Sequence, residues 1–166
     1  MILNFRDKSK NPTSERIKKF EKMIGVSLPE RYREYLLIGE IGGKPEENLC
    51  YKVGKPGKLD HMEEWENVGV DIFCSVYEME QNYRDFNADD RDRAWLPDEM
   101  IAIGDGPGGN HLLLCIEGEH KGKVYFWAND LFTTEDVNDE MVPTYKNICF
   151  VANDFDEFLD SFYLCP

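Results

Sequence analysis

The residues whose spacing suggests chemistry cluster in "AIGDGPGGNHLLLCI", Ala102 to Ile116, where four glycines fall within six residues. Gly104-x-Gly106-x-x-Gly109 satisfies the letters of a dinucleotide fingerprint. A phosphate cradle, however, must feed a helix, whose N–H groups and dipole hold the anion. Here the loop feeds "HLLLCI", which reads as a strand. No Gly-Lys-Ser/Thr follows, and Asp105 would turn negative charge toward a phosphate. The glycines are therefore expected to serve the backbone, reversing the chain between two strands through positive φ angles. Such a turn places Asp105, Asn110 and bare backbone amides at one end of a sheet.

Two metal readings fail on spacing. His111 and Cys115 would share one face of a strand, but His120 lies in the turn beyond, and no second cluster completes four ligands. Asp85, Asn87 and Asp89 have the spacing that opens a calcium loop, yet Asp90 stands where the glycine is needed and Leu96 where the bidentate glutamate belongs. A solvated acidic segment is expected there. No Ser-His-Asp or Cys-His signature is legible, and the carboxylates are too numerous for one pair to stand out as acid and base. The expectation is a protein without catalytic residues, cofactor or metal.

The elements that must position the glycine turn follow from periodicity. In "NPTSERIKKFEKMIG", Ile17, Phe20 and Ile24 form a helical stripe, Thr13 or Ser14 can cap its start, and Gly25 can stop it. "LPERYREYLLIGEIGG" starts a second helix near Pro29 with Tyr32, Tyr35 and Leu36 on its apolar face. "NLCYKVG" reads as a strand and "KPGKLDHMEEWENVG" as a polar connection. A helix is expected from Ser75, with Val76, Tyr83 and Phe86 inward. "EMIAIG", "HLLLCIE", "KVYFWAN" and "ICFVA" read as strands, the second and third joined by the glycine-bearing turn "GEHKG". "NDFDEFLDSFYL" closes the chain as a helix, capped by Asn153 or Asp154, with Phe155, Phe158, Leu159 and Phe162 on one face. Helices, then hairpin-linked strands, then a helix predict an α+β fold of a single domain rather than a βαβ ladder.

The 166 residues are expected to form one domain over 1–166, enough chain to bury about 68–70% of its unfolded surface. Net charge is −14, unevenly spread: residues 1–45 hold ten Lys/Arg and six Asp/Glu, whereas residues 46–166 hold nine and twenty-seven. Such a surface repels phosphate backbones and anionic lipid, so nucleic acid and membrane are poor partners and a basic protein is a better one. The start, "MILNFRDKSKNP", lacks the apolar core of a secretory signal, and no apolar run reaches the roughly 18 residues of a membrane span. A cytoplasmic location is expected. The five cysteines are odd in number, scattered and never in C-x-x-C, which predicts buried thiols rather than a disulfide framework.

Three segments in order resemble the SUKH superfamily. "IKKFEKMIGVSLPERYREYLLIGEIGG" is similar to its opening helices, with Glu21, Leu-Pro and a closing Gly-Gly. "MIAIGDGPGGNHLLLCIEGEHKGKVYFWAND" is similar to its central hairpin, and "ICFVANDFDEFLDSFY" to its closing strand and helix. The match spans 17–163, interrupted by "KPGKLDHMEEWEN" and "NADDRDR". His111 departs from the pattern, where a small or acidic residue is common. The resemblance implies an α+β domain, with a central, mainly antiparallel sheet packed against N-terminal and C-terminal helices, and without a catalytic residue set. The superfamily includes fungal Smi/Knr regulators of cell-wall synthesis and many bacterial immunity proteins that block secreted toxins, frequently nucleases, by binding them. The expectation is a non-catalytic immunity module for a basic toxin, with a regulatory scaffold like the fungal relatives as the alternative. The turn and the strand end bring Asp105, Asn110, Trp127, Asn129 and Asp130 to one rim as candidate partner contacts; on an inward strand face Trp127 would instead be core.

Overall fold

A computed structural model of the chain describes residues 4–6, 12–38, 42–87, 95–129, 134–137 and 140–166. Among these, β1 (Phe5–Arg6) precedes two helices, α1 (Ser14–Ile24) and α2 (Glu30–Ile38). The Thr13 hydroxyl accepts the Arg16 N–H at 3.1 Å to start α1, and Gly25 ends it with φ 79°. Ile17, Phe20 and Ile24 are buried, as their spacing requires, and so are Tyr32 and Leu36 of α2.

Strands β2 (Lys44–Pro45), β3 (Leu49–Gly54), β4 (Glu64–Gly69) and β5 (Ile72–Phe73) lead to α3 (Val76–Phe86). Ser75 and Glu78 close a reciprocal capping box at the start of α3. Then come β6 (Met100–Asp105), β7 (His111–Cys115), β8 (Val124–Trp127), β9 (Thr134–Val137), β10 (Glu140–Pro143) and β11 (Ile148–Ala152). Helix α4 (Phe155–Asp160), capped by the Asp154 carboxylate, is followed by β12 (Tyr163–Leu164).

A five-stranded antiparallel sheet runs in the order β11-β8-β7-β6-β5, and a three-stranded one in the order β12-β3-β4. The two meet where the Pro56 bridge continues β3 onto Cys149 of β11, and again where the Asp71 N–H, just past β4, donates to the Asp105 carbonyl at 3.0 Å. The α+β architecture expected from the order of elements is therefore the one present.

Both faces of the five-stranded sheet are buried. Ile101, Ile103, Leu112, Leu114, Phe126 and Val151 face the helices with Ile17, Phe20, Tyr32, Phe155 and Phe158. On the other face Met100, Leu113, Tyr125, Trp127, Ile148 and Phe150 pack with Leu96, Leu59 and Phe86. This explains why the strands read as nearly unbroken apolar runs rather than as an alternation.

Three expectations need correction. The polar connection "KPGKLDHMEEWENVG" contains strand β4, whose apolar content is too low to announce it: it pairs along one edge with β3 and leaves Glu64–Asn67 exposed. The closing helix stops at Asp160, because the chain turns there to pair Tyr163 with Cys50 and Leu164 with Leu49. That pairing overturns the thiol reading for two of the five cysteines. Cys50 and Cys165, 115 residues apart, come to a Cα–Cα distance of 5.1 Å and form a disulfide. Cys74, Cys115 and Cys149 are free and buried.

Candidate functional site

The glycine turn joins β6 to β7 through a single 3-10 turn, Pro107–Gly109, and delivers the chain into a strand. Gly108 and Gly109 hold φ of 75° and 79°, the left-handed region that the reversal demands. Gly104 is glycine for another reason: a Cβ there would stand 2.8 Å from the Ile72 carbonyl oxygen.

One row of the sheet register carries the rim. Ile72, Asp105, His111, Trp127 and Ile148 are successive partners across β5, β6, β7, β8 and β11. His111 Nδ1 lies 2.9 Å from Asp105 Oδ1, with the imidazole largely buried and the carboxylate 43% exposed. The imidazole ring lies against Phe86 and Trp127, with centroid distances of 4.8 and 5.3 Å. Phe86 is pressed there by the end of α3. The buried Asn87 amide donates to the carbonyls of Pro97 and Met100 at 3.2 and 2.8 Å, tying the helix end to the start of β6. Asn87, noted for calcium-loop spacing, is thus a structural clamp.

Beside this row the Asn110 side chain locks the turn. Its Nδ2 donates to the Pro107 carbonyl at 3.0 Å, and its Oδ1 accepts the Asn129 N–H at 2.8 Å. Asn129 Nδ2 donates to the Gly109 carbonyl at 3.2 Å. The structure therefore brings Asp105, Asn110 and Asn129 to one rim. Trp127 is only 1% exposed and lies beneath that rim as core, supporting it through His111 rather than facing solvent. Asp130 and Asp89 lie outside the described residues.

The other groups singled out for metal chemistry go separate ways. His120 Nδ1 lies 3.4 Å from Asp60 Oδ1, whereas His111 faces Asp105. Cys115 Sγ donates to the Glu117 carbonyl at 3.1 Å. Burial pushes the thiols of Cys74 and Cys115 up, and burial followed by the Glu66 charge pushes Cys149 up to about 12. All three stay protonated at neutral pH and are weak nucleophiles.

Sequence reasoning missed His111 as the partner of Asp105. Its signal was the departure at that position, an imidazole next to a turn, whose meaning depends on the β6–β7 register.

Helices packed on one face of an antiparallel sheet, with a rigid, acidic turn at the sheet end, define an α+β protein whose exposed functional groups are carboxylates and amides on a fixed frame. The SMI1/KNR4 family (SUKH-1) model matches residues 11–161, and the chain belongs to that family. It is also similar to the SPbeta prophage-derived uncharacterized protein YokK of Bacillus subtilis (strain 168), with 26% identity over 162 residues, 90% of this chain and 73% of that protein. No helix among the described residues is long and apolar enough to cross a membrane.

Proposed function

We propose that the protein is a non-catalytic immunity module that neutralises a basic toxin domain, a nuclease in the simplest case, by binding and occluding its substrate face. The observation that carries this reading is the excess of acid, net −14 with twenty-seven carboxylates in residues 46–166, in a chain of this family. A nuclease must present positive charge to hold phosphates. An acidic surface competes for that same face, steers the encounter and raises the association rate, while desolvated contacts set the lifetime of the complex.

The rim of Asp105, Asn110 and Asn129 is the proposed contact, with Asp130, the next residue in sequence after Asn129, as a further candidate. Side chains held by the Asn110–Asn129 bonds lose little conformational freedom on binding, which favours affinity. In this reading the module acts in the cytoplasm of the cell that makes the toxin, where the Cys50–Cys165 pair meets a reducing environment.

The test is affinity capture of a basic partner, then binding and inhibition assays with it, comparing wild type with Asp105→Lys plus Asp130→Lys. The reading expects one-to-one inhibition without turnover and a complex weakened about tenfold or more by the double reversal. Unchanged affinity in the double variant would remove the rim. Capture of several wall-synthesis or signalling proteins in place of one basic partner would favour the scaffold alternative.

A further inference from the structure

We infer that the outer edge of β4 accepts an extended, basic segment of the partner, which adds to the three-stranded sheet as a further strand and seats a cationic side chain on Trp65 and Glu66. The inference rests on the reading of the partner as a basic protein.

Strand β4 is terminal in its sheet, paired with β3 on one side and with no described strand on the other. The register shows which backbone groups are open. Just past β4, the Val70 N–H donates to the Leu49 carbonyl, so 49/70, 51/68 and 53/66 are the mutually bonded pairs, and the N–H and C=O of Asn67 point away from β3. A bulge beyond Val53 shifts the register. The Lys55 N–H then donates to the Glu63 carbonyl, which turns the backbone of Glu64 outward as well. An incoming strand thus meets donors and acceptors at both Glu64 and Asn67.

The side chains select what can pair. Trp65 is 44% exposed and makes no ring contact with another described residue, so its indole face is open to a ligand. Glu63 is paired with Lys55 and Glu64 with Lys52, but Glu66 has no ion pair among the described residues. An exposed indole beside an unpaired carboxylate suits a Lys or Arg side chain, through cation–π attraction and an ion pair together.

A second copy of β4 would set glutamates opposite glutamates and is disfavoured. The bulge and the charges likewise discourage neutral strands, so the edge is closed to aggregation yet open to a cationic segment. The edge also leads into the rim: Gly69 lies against Pro107 of the glycine turn, and Asp71 bonds to the Asp105 backbone. One basic partner can cover both.

The test uses the full chain and a soluble peptide alternating arginine and threonine, with a control peptide N-methylated at every backbone amide, which keeps the charge and deletes the strand donors on both edges. At low salt the first peptide is expected to slow hydrogen exchange at the Glu64 and Asn67 amides about tenfold or more and to bind at least about tenfold more tightly than the control. Trp65→Ala is expected to weaken it by a similar factor. Asn67→Ala keeps the backbone donor and should bind like wild type, whereas Asn67→Pro removes that donor on the open side and should not.

Equal binding of the two peptides, or no protection at Glu64 and Asn67, would overturn the edge site. If the edge fails while the Asp105/Asp130 reversal still weakens the toxin complex, the immunity reading stands without it. If the reversal has no effect while the peptide protects β4, the edge stands and the rim falls.

Discussion

Asn110 and Asn129 clamp the end of the sheet: the Asn110 side-chain Oδ1 accepts the Asn129 backbone N–H at 2.8 Å, and the Asn129 side-chain Nδ2 donates to the Gly109 carbonyl at 3.2 Å. The pair joins the β6–β7 turn to the chain leaving β8, two segments nineteen residues apart in sequence. Asn110→Ala removes the acceptor and also frees the Pro107 carbonyl. It is expected to cost about 1 kcal/mol in urea unfolding, and to speed dissociation of a bound partner without changing any charge. Asn110→Asp keeps the acceptor for Asn129 and should be the milder change for stability. Equal stability of Asn110→Ala and wild type would show that the clamp is not formed in solution.

The glycines of the turn are not equivalent, and alanine separates them. At Gly104 the added Cβ would lie 2.8 Å from a backbone oxygen of β5, so strands must move apart, at a cost of about 1–3 kcal/mol. At Gly109 nothing lies within 4 Å of the added atom, and only the left-handed backbone at φ 79° resists, for about 1–2 kcal/mol. Gly104→Ala is therefore expected to melt lower than Gly109→Ala, and to loosen β5 selectively in hydrogen exchange. The reverse order would mean that the β5–β6 contact is looser than 2.8 Å implies.

Much of this fold is legible in the sequence because local signals agree with tertiary ones. Thr13 and Gly25 bracket a stripe of Ile17, Phe20 and Ile24 that is indeed buried, and "HLLLCIE", "GEHKG" and "KVYFWAN" give a hairpin without ambiguity. The turn between Gly104 and Asn110 was also readable, since glycine density before a strand has few other uses. Strand β4 was not, because three glutamates within 63–66 disguise an edge strand as a loop. Nor was the disulfide, since nothing near Cys50 or Cys165 announces that β12 returns to β3. The same holds for the rim: proximity of Asp105, Asn110 and Asn129 follows from turn geometry, whereas the His111 contact and the burial of Trp127 follow from strand register.

The Cys50–Cys165 bond ties the last strand to β3 and closes a loop of more than a hundred residues. A cross-link of that span restricts the unfolded chain strongly, with an upper value of about 5 kcal/mol in the chain-entropy account. Dithiothreitol, or Cys165→Ser, is expected to lower the melting temperature and to raise hydrogen exchange at Tyr163, Leu164 and the facing residues of β3, leaving the five-stranded sheet protected. Cys165 is half-buried and Cys50 is buried beneath the last strand, so alkylation after mild reduction should label Cys165 first and Cys50 once β12 detaches, sparing the three core thiols. Modification of Cys74, Cys115 or Cys149 under those conditions would show that reduction opens the whole core.

Helix α4 is docked on α2 by a carboxylate whose ionisation can be followed. Asp156 accepts two bonds from Arg31, from Nε at 2.8 Å and Nη2 at 2.9 Å, and a third from the Tyr35 hydroxyl at 2.7 Å. The Arg31 bonds first, and then the Tyr35 bond, hold its pKa at about 2, below the ordinary 3.8. Since the folded value is the lower one, the ionised form favours folding. That contribution is complete above about 3.8 and is lost as pH falls through about 2. Both partners are well exposed, so salt should weaken the effect. Asp156→Asn is therefore expected to be less stable than wild type at pH 7, with the difference shrinking between about pH 4 and pH 2 and narrowing in high salt. Arg31→Lys, which loses the two-pronged geometry but keeps the charge, should fall between them. A constant gap between wild type and Asp156→Asn across that pH range would mean that Asp156 acts through packing at the start of α4, and not through its charge.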